Sequence, residues 1–226
     1  MTETTRSTSD WPRVYLASGS ARRRAILEEL DIPYQPLAVE VDEIVAATGR
    51  ETVEENASRK LLAGLRGADQ GAIVIAADTV LETQGRLLGK PADEAMAVQY
   101  LRMLSGGTAT ACSTVAVAVA GNANGCLATE TAEVHFRVLP PEVIQWYVST
   151  GEPMGRAGAF GIGRLGEVLT ESVDGCYSCI SGLPKTALIL ALARVADEHM
   201  PESLRHVPTI LTGTRVQLRA LPTPGR

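Results

Sequence analysis

The sequence predicts an α/β protein built on a mixed, twisted sheet, with helices on both sides and two lobes around a central cleft. Three observations lead there. Short apolar runs of strand type, Val14–Ala17 and Ala72–Ala77, alternate with stretches whose apolar residues recur every three or four positions. The run Ala72-Ile-Val-Ile-Ala-Ala77 is apolar without alternation, as expected of a central strand covered on both faces. From Ser113 to Leu139 the texture changes to two strand-like segments joined across Gly121-Asn-Ala-Asn-Gly125, an antiparallel pair that makes the sheet mixed.

The elements follow in order. Val14–Ala17 is a strand, and Ile26, Leu27 and Leu30 form a helical stripe after Ser20, so the chain opens as strand, tight turn, helix. Thr52-Val-Glu-Glu55 has the form of a capping box, and Val53, Ala57, Leu61 and Leu65 continue it as a second helix, which carries Lys60. The strand 72–77 is expected to end at Asp78. A helix over Asp93–Leu104 stops at Ser105-Gly-Gly107. The antiparallel pair turns Thr131, Glu133, His135 and Arg137 to one face. Pro140-Pro141 starts a helix running to Ser149, and a glycine-rich segment, 151–166, leads to a strand at Glu167–Thr170 and a turn at Asp174-Gly175. The last helix follows Pro184. Residues 1–11 and 200–226 read as an N-terminal tail and a proline-broken C-terminal extension, leaving 12–199 as the working domain.

Composition narrows the function. A chain of 226 residues, 45% of them hydrophobic, can bury a sizeable core. Its net charge of -5 argues against a nucleic-acid polymer as partner, since such a binder shows a basic face over the whole domain. No run is long and apolar enough to span a bilayer, and the first ten residues are polar, so a cytoplasmic protein without a membrane partner is expected. Cys112, Cys126, Cys176 and Cys179 are too scattered for a disulfide framework. Only Cys176 and Cys179 have redox or metal spacing, and Ile180-Ser-Gly-Leu-Pro184 is expected to delay the helix that a redox motif would open.

The residues that suit chemistry lie elsewhere. Ser18-Gly-Ser20 before a helix offers free N–H groups and hydroxyls to an anion, and Arg22 and Arg23 add guanidinium forks. Arginines in a first turn oppose the helix dipole, an avoidable cost unless a negative ligand relieves it. Asp78 and Thr79 follow a buried strand, where ligands of open α/β sheets sit. Lys90 is held between Gly89 and Pro91, and the acidic run Glu40-Val-Asp-Glu43 forms a short extended segment. Carboxylates of this kind hold Mg²⁺ or Mn²⁺, and with lysines and an arginine turn they make up an inventory for metal-assisted phosphoryl or nucleotidyl chemistry. No nucleophile elbow, Walker loop or dinucleotide fingerprint occurs, and His135 on a strand face reads as structural.

These pieces in this order resemble the Maf family of nucleoside triphosphate pyrophosphatases, also called septum formation proteins. The resemblance runs from about Arg13 to Val195 and rests on Leu16–Arg23, Ala77-Asp-Thr79, Gly89-Lys-Pro91, Leu104-Ser-Gly106, and the segments Gly151-Glu-Pro153, Ala157–Gly161 and Gly182-Leu-Pro184. It implies hydrolysis of a nucleoside triphosphate between the α and β phosphates, a divalent metal, a cytoplasmic homodimer, and a fold like that of inosine triphosphate pyrophosphatases. By position, Asp78 falls on the family's proton acceptor. Ser18, Ser20, Arg22 and Arg23 fall on the phosphate-binding turn, and Glu43, Lys60 and Lys90 on the charged residues around metal and phosphates, with Glu43 and Asp78 at the metal. Phe160–Gly163 would contact the base. Three positions depart from the pattern. Ala21 replaces a proline, Phe160 replaces a tyrosine, and Gly163 stands where the dTTP/UTP-selective branch has glutamine, whereas Arg22 and Thr79 match that branch. Base preference is thus open. The family's older name implies a second reading, a nucleotide-binding regulator of cell division without turnover.

Overall fold

The computed structural model describes residues 12–122, 124–196 and 215–221, and among these an eight-stranded sheet forms the frame. Its elements are β1 (Val14–Leu16), α1 (Ala21–Glu29), β2 (Gln35–Pro36), α2 (Gly49–Gly67), β3 (Ile73–Thr83), β4 (Arg86–Leu88), α3 (Glu94–Leu104), β5 (Thr108–Val119), β6 (Gly125–Phe136), α4 (Pro141–Ser149), β7 (Thr170–Gly175), α5 (Tyr177–Ile180), α6 (Lys185–Ala196) and β8 (Gln217–Ala220). The strand order is β2-β1-β3-β5-β6-β7, with β4 on β3 and β8 on β6. β1 runs parallel to β2 and β3, and the other pairings are antiparallel. The expected mixed sheet is present.

Strand alternation divides β3 between two faces. Ile73, Ile75 and Ala77 pack with Ile26 and Leu27 of α1 and Leu188 and Leu192 of α6. Val74 and Ala76 pack on the other side against Ala57 and Leu61 of α2. Gly64 lets α2 lie close to the sheet, because a Cβ there would come within 2.9 Å of Val74 and 3.0 Å of Ala17. A second core gathers Leu81, Leu101, Ala111, Val134, Phe136, Ile144 and Tyr147 at the other end of the same strands. Between the two cores on that face, the row Thr79, Ser113 and Glu130 is polar, each residue opposite the next across the ladder. This row marks the division between the lobes.

Several local expectations are corrected. β3 does not end at Asp78 but runs on to Thr83, because β5 pairs with it without a break from Ile73 to Glu82. What ends there is its parallel neighbour: β1 stops at Leu16 and β4 joins only at Leu81, so the intervening edge of β3 is open. The capping box shifts by one turn, since Thr48 caps α2 by accepting from the Glu51 N–H, while the Thr52 hydroxyl bonds Ala46 and Thr48. Glu40–Glu43 lies in irregular chain. β5 and β6 begin earlier than expected, at Thr108 and Gly125, and β6 ends at Phe136. Leu165–Leu169 is a 3-10 turn, not a strand, and Asp174-Gly175 closes β7. α5 starts at Tyr177, right after Cys176 and before the segment 180–184 that is expected to delay a helix, and it ends after one turn at Ile180. Part of the expected C-terminal extension, Gln217–Ala220, pairs with Cys126–Thr129 at the β6 edge. The remainder of that extension and the N-terminal tail through residue 11 lie outside the described residues.

Candidate active site

The open edge of β3 faces a cavity of about 790 Å³, within the range of small-ligand sites. Its wall includes Ser18, Ser20, Arg22, Arg23, Glu43, Lys60, Asp78, Thr79, Lys90 and Phe160. Residues far apart in sequence thus converge on one hollow. Gly163 does not line it. That glycine has a φ of +95°, and a Cβ there would approach the Tyr177 hydroxyl at 3.8 Å. Phe160 reaches the wall as a core residue, 4% exposed, its ring edge-on to Phe136 at 4.8 Å between centroids.

Alternation sends Asp78 to the α2 face of the sheet and Thr79 to the α1 face, and the missing neighbour lets both reach the cavity. Asp78 is 7% exposed. Its Oδ1 accepts from Lys60 Nζ at 2.6 Å, and its Oδ2 accepts from Asn56 Nδ2 at 3.2 Å. Lys60 also donates to Glu43 Oε1 at 2.6 Å, with Lys90 Nζ 3.8 Å from the same oxygen. Partial burial pushes the Glu43 carboxyl up, but the Lys60 hydrogen bond and the charges of Lys60, Lys90 and Arg23 outweigh it and hold the group below its usual value.

On the α1 side, Arg23 Nη1 donates to Ser18 Oγ at 3.0 Å and its Nε to the Gly182 carbonyl at 2.9 Å. Gly182, with φ +99°, turns that carbonyl toward the arginine. Burial pushes the Arg23 guanidinium down, with Asp78 and Glu43 opposing it. Arg22 is pushed down to about 10 by burial, then by the neighbouring cations Arg156 and Arg23, with Tyr147 and Glu152 opposing. The Thr79 hydroxyl lies 2.7 Å from Ser113 Oγ, which donates to the Asp78 carbonyl at 3.2 Å.

The implied divalent metal fits this geometry. Glu43 and Asp78 each place an oxygen 2.6 Å from one cationic nitrogen, so two hard oxygen donors already converge on a single positive charge. Glu133, His135 and Asp174 also bring three potential ligand atoms within 4.8 Å of one another, but on β6 and β7 and outside the cavity wall. There His135 bonds Thr108 and Asp174, both at 3.0 Å, in keeping with a structural residue. The four cysteines are unpaired thiols, and burial raises each of them, which makes them poor nucleophiles.

Sequence reasoning missed three residues. Asn56 stands one turn before Lys60 on the same face of α2. Arg156 lines the cavity and lies 3.6 Å from the buried Glu152. Glu130 is 8% exposed, and its Oε2 is buried without a partner. The spacing of four through Thr52, Asn56 and Lys60 puts the three on one face of α2 but carries no sign of what that face holds.

Comparison with known proteins finds relatives over most of the chain. A curated dTTP/UTP pyrophosphatase from Pelotomaculum thermopropionicum is 40% identical over 186 residues, 81% of this chain and 93% of that one. Another from Symbiobacterium thermophilum is 42% identical over 174 residues, 76% and 88% of the two chains. Among solved structures, the Staphylococcus aureus Ham1 protein aligns at 16% identity and a TM-score of 0.41, over 55% of this chain and 71% of that one. The family model described as "Maf-like protein" matches residues 13–195, and the chain belongs to that family.

Proposed function

We propose that the protein is a metal-dependent nucleoside triphosphate pyrophosphatase that removes surplus or non-standard nucleotides, with dTTP and UTP among its substrates. The observation that carries this reading is the single cavity in which a buried carboxylate, bonded by a lysine, faces two arginines at a helix start. The pyrimidine preference is brought from the names of the relatives.

In the proposed reaction, a water oxygen attacks the α-phosphorus while Asp78 accepts its proton. The bond from that phosphorus to the α–β bridging oxygen breaks, and its electron pair leaves with pyrophosphate. Asp78 keeps lone pairs free for this, since a carboxylate has about four acceptor sites and two hydrogen bonds are in place. Lys60, Lys90, Arg22 and Arg23 offset charge that builds on the phosphates, and Ser18 and Ser20 hold them at the turn. A divalent cation held by Asp78 and Glu43 would supply further charge neutralisation when bound. Phe160 would pack against the base. Cytoplasmic location and pairing of two copies belong to the same proposal and rest on the family resemblance; no described helix is long and apolar enough to cross a membrane.

The test is incubation with Mg²⁺ and a panel of dTTP, UTP, CTP and modified guanosine and inosine triphosphates, reading pyrophosphate and monophosphate. Stoichiometric release of both is expected, fastest with dTTP and UTP. Tight nucleotide binding without release would instead identify a non-catalytic regulator.

A further inference from the structure

Glu43 sits in the irregular stretch between β2 and α2, yet it must meet Asp78, which is fixed in the sheet. A polar stripe on α2 does the holding, with Thr52, Asn56 and Lys60 following one another every four residues. Each grips one point of the stretch. Thr52 Oγ1 accepts from the Ala46 N–H at 2.9 Å, and Lys60 bonds Glu43. Asn56, 3% exposed, takes both backbone groups of Ile44: its Oδ1 accepts the N–H at 2.9 Å, and its Nδ2 donates to the carbonyl at 3.0 Å. The remaining Nδ2 hydrogen goes to Asp78 Oδ2. One amide therefore grips the residue next to Glu43 and the Asp78 carboxylate at once, with its donors fully used.

We propose that Asn56 is a positioning residue that sets the spacing of Glu43 and Asp78, and so the site where a divalent cation is held. The inference rests on the pyrophosphatase reading for its activity arm only. Lys60 is a flexible ammonium that can turn toward a phosphate, whereas the Asn56 amide keeps the two carboxylates in register when it does.

The experiment compares wild type with Asn56→Leu, which keeps the volume and loses the amide, and Asn56→Ser, which is smaller and polar if the leucine variant does not fold. Thr52→Val loosens the same stretch without touching Asp78. Mn²⁺ affinity without nucleotide is measured by calorimetry, and kcat and KM by pyrophosphate release. Loss of an outer hydrogen-bond partner typically costs about 10- to 100-fold in metal affinity or activity. The Asn56 variants should weaken Mn²⁺ binding and lower kcat by that factor, with KM within about threefold. Thr52→Val should lower thermal stability but cost less than about threefold in kcat. Folded Asn56 variants with wild-type Mn²⁺ affinity and kcat overturn the proposal, as does a wild type that binds no Mn²⁺. If wild type binds Mn²⁺ but releases no pyrophosphate, the hydrolase reading fails while the affinity arm still decides the role of Asn56.

Discussion

The two walls of the cavity carry charge in opposite ways. On the α2 wall every charge has a partner, with the Lys60 ammonium between Glu43 and Asp78, and Asn56 on the second Asp78 oxygen. On the α1 wall, no carboxylate among the described residues lies within salt-bridge distance of Arg22 or Arg23, and the helix start adds its own partial positive charge. Burial pushes both guanidiniums down. The contrast separates two jobs. Under the proposed reaction, the self-neutralised wall would keep the reacting groups in place without a ligand, and a bound anion would relieve the wall of crowded cations.

The largest effect that could break this division is at Asp78. Asp78→Asn preserves shape and removes the proton acceptor, so kcat should fall by at least ~10². Nucleotide affinity, which the proposed reaction assigns chiefly to the arginine turn, should stay within about threefold. Calorimetric binding beside pyrophosphate release checks both. Retained turnover would remove the α2 wall from the chemistry.

The arginines sharpen the contrast. Charge-assisted hydrogen bonds of about 1.5–3 kcal/mol correspond to roughly 10- to 150-fold in KM for either Arg→Met change. Stability should split them. Arg23→Met strips partners from Ser18 and the Gly182 carbonyl and should lower Tm. Arg22→Met removes a half-buried cation crowded by Arg156 and should raise Tm by ~2–4 °C for about 1 kcal/mol. Equal Tm changes in a thermal scan would show that Arg22 is not held under repulsion.

How far these walls were legible in the sequence follows from how local each is. The arginine turn is contiguous, so Ser18, Ser20, Arg22 and Arg23 could be grouped directly from the sequence, and the structure brings all four to the cavity wall. Asp78 was identified on a strand-end argument that the structure corrects: β3 continues, and the opening comes from where β1 stops, a property of a different segment. Asn56 matters through a backbone twelve residues away, which helical spacing alone does not reveal. Gly163, read as a base contact by resemblance, is outside the cavity wall because the glycine-rich segment turns there. The prolines of the C-terminal segment hid β8, whose pairing depends on a free β6 edge and not on its own residues.

The smallest expected effect tests whether the polar row between the lobes belongs to either wall. Glu130 continues the row from Thr79 and Ser113, but it does not line the cavity, and burial raises its pKa. An acid whose folded pKa is raised keeps its proton while the unfolded chain releases it. Its presence therefore penalises folding increasingly as pH climbs above its ordinary value of 4.5 toward the folded one. Glu130→Gln abolishes that titration and retains a polar group beside the Ala187 amide. The variant should match wild type in Tm near pH 4 and exceed it by ~2–4 °C near pH 8, with kcat within about twofold because no reacting group has been touched. A fall in kcat without a change in Tm would instead tie Glu130, through Ser113 and Thr79, to the α1 wall.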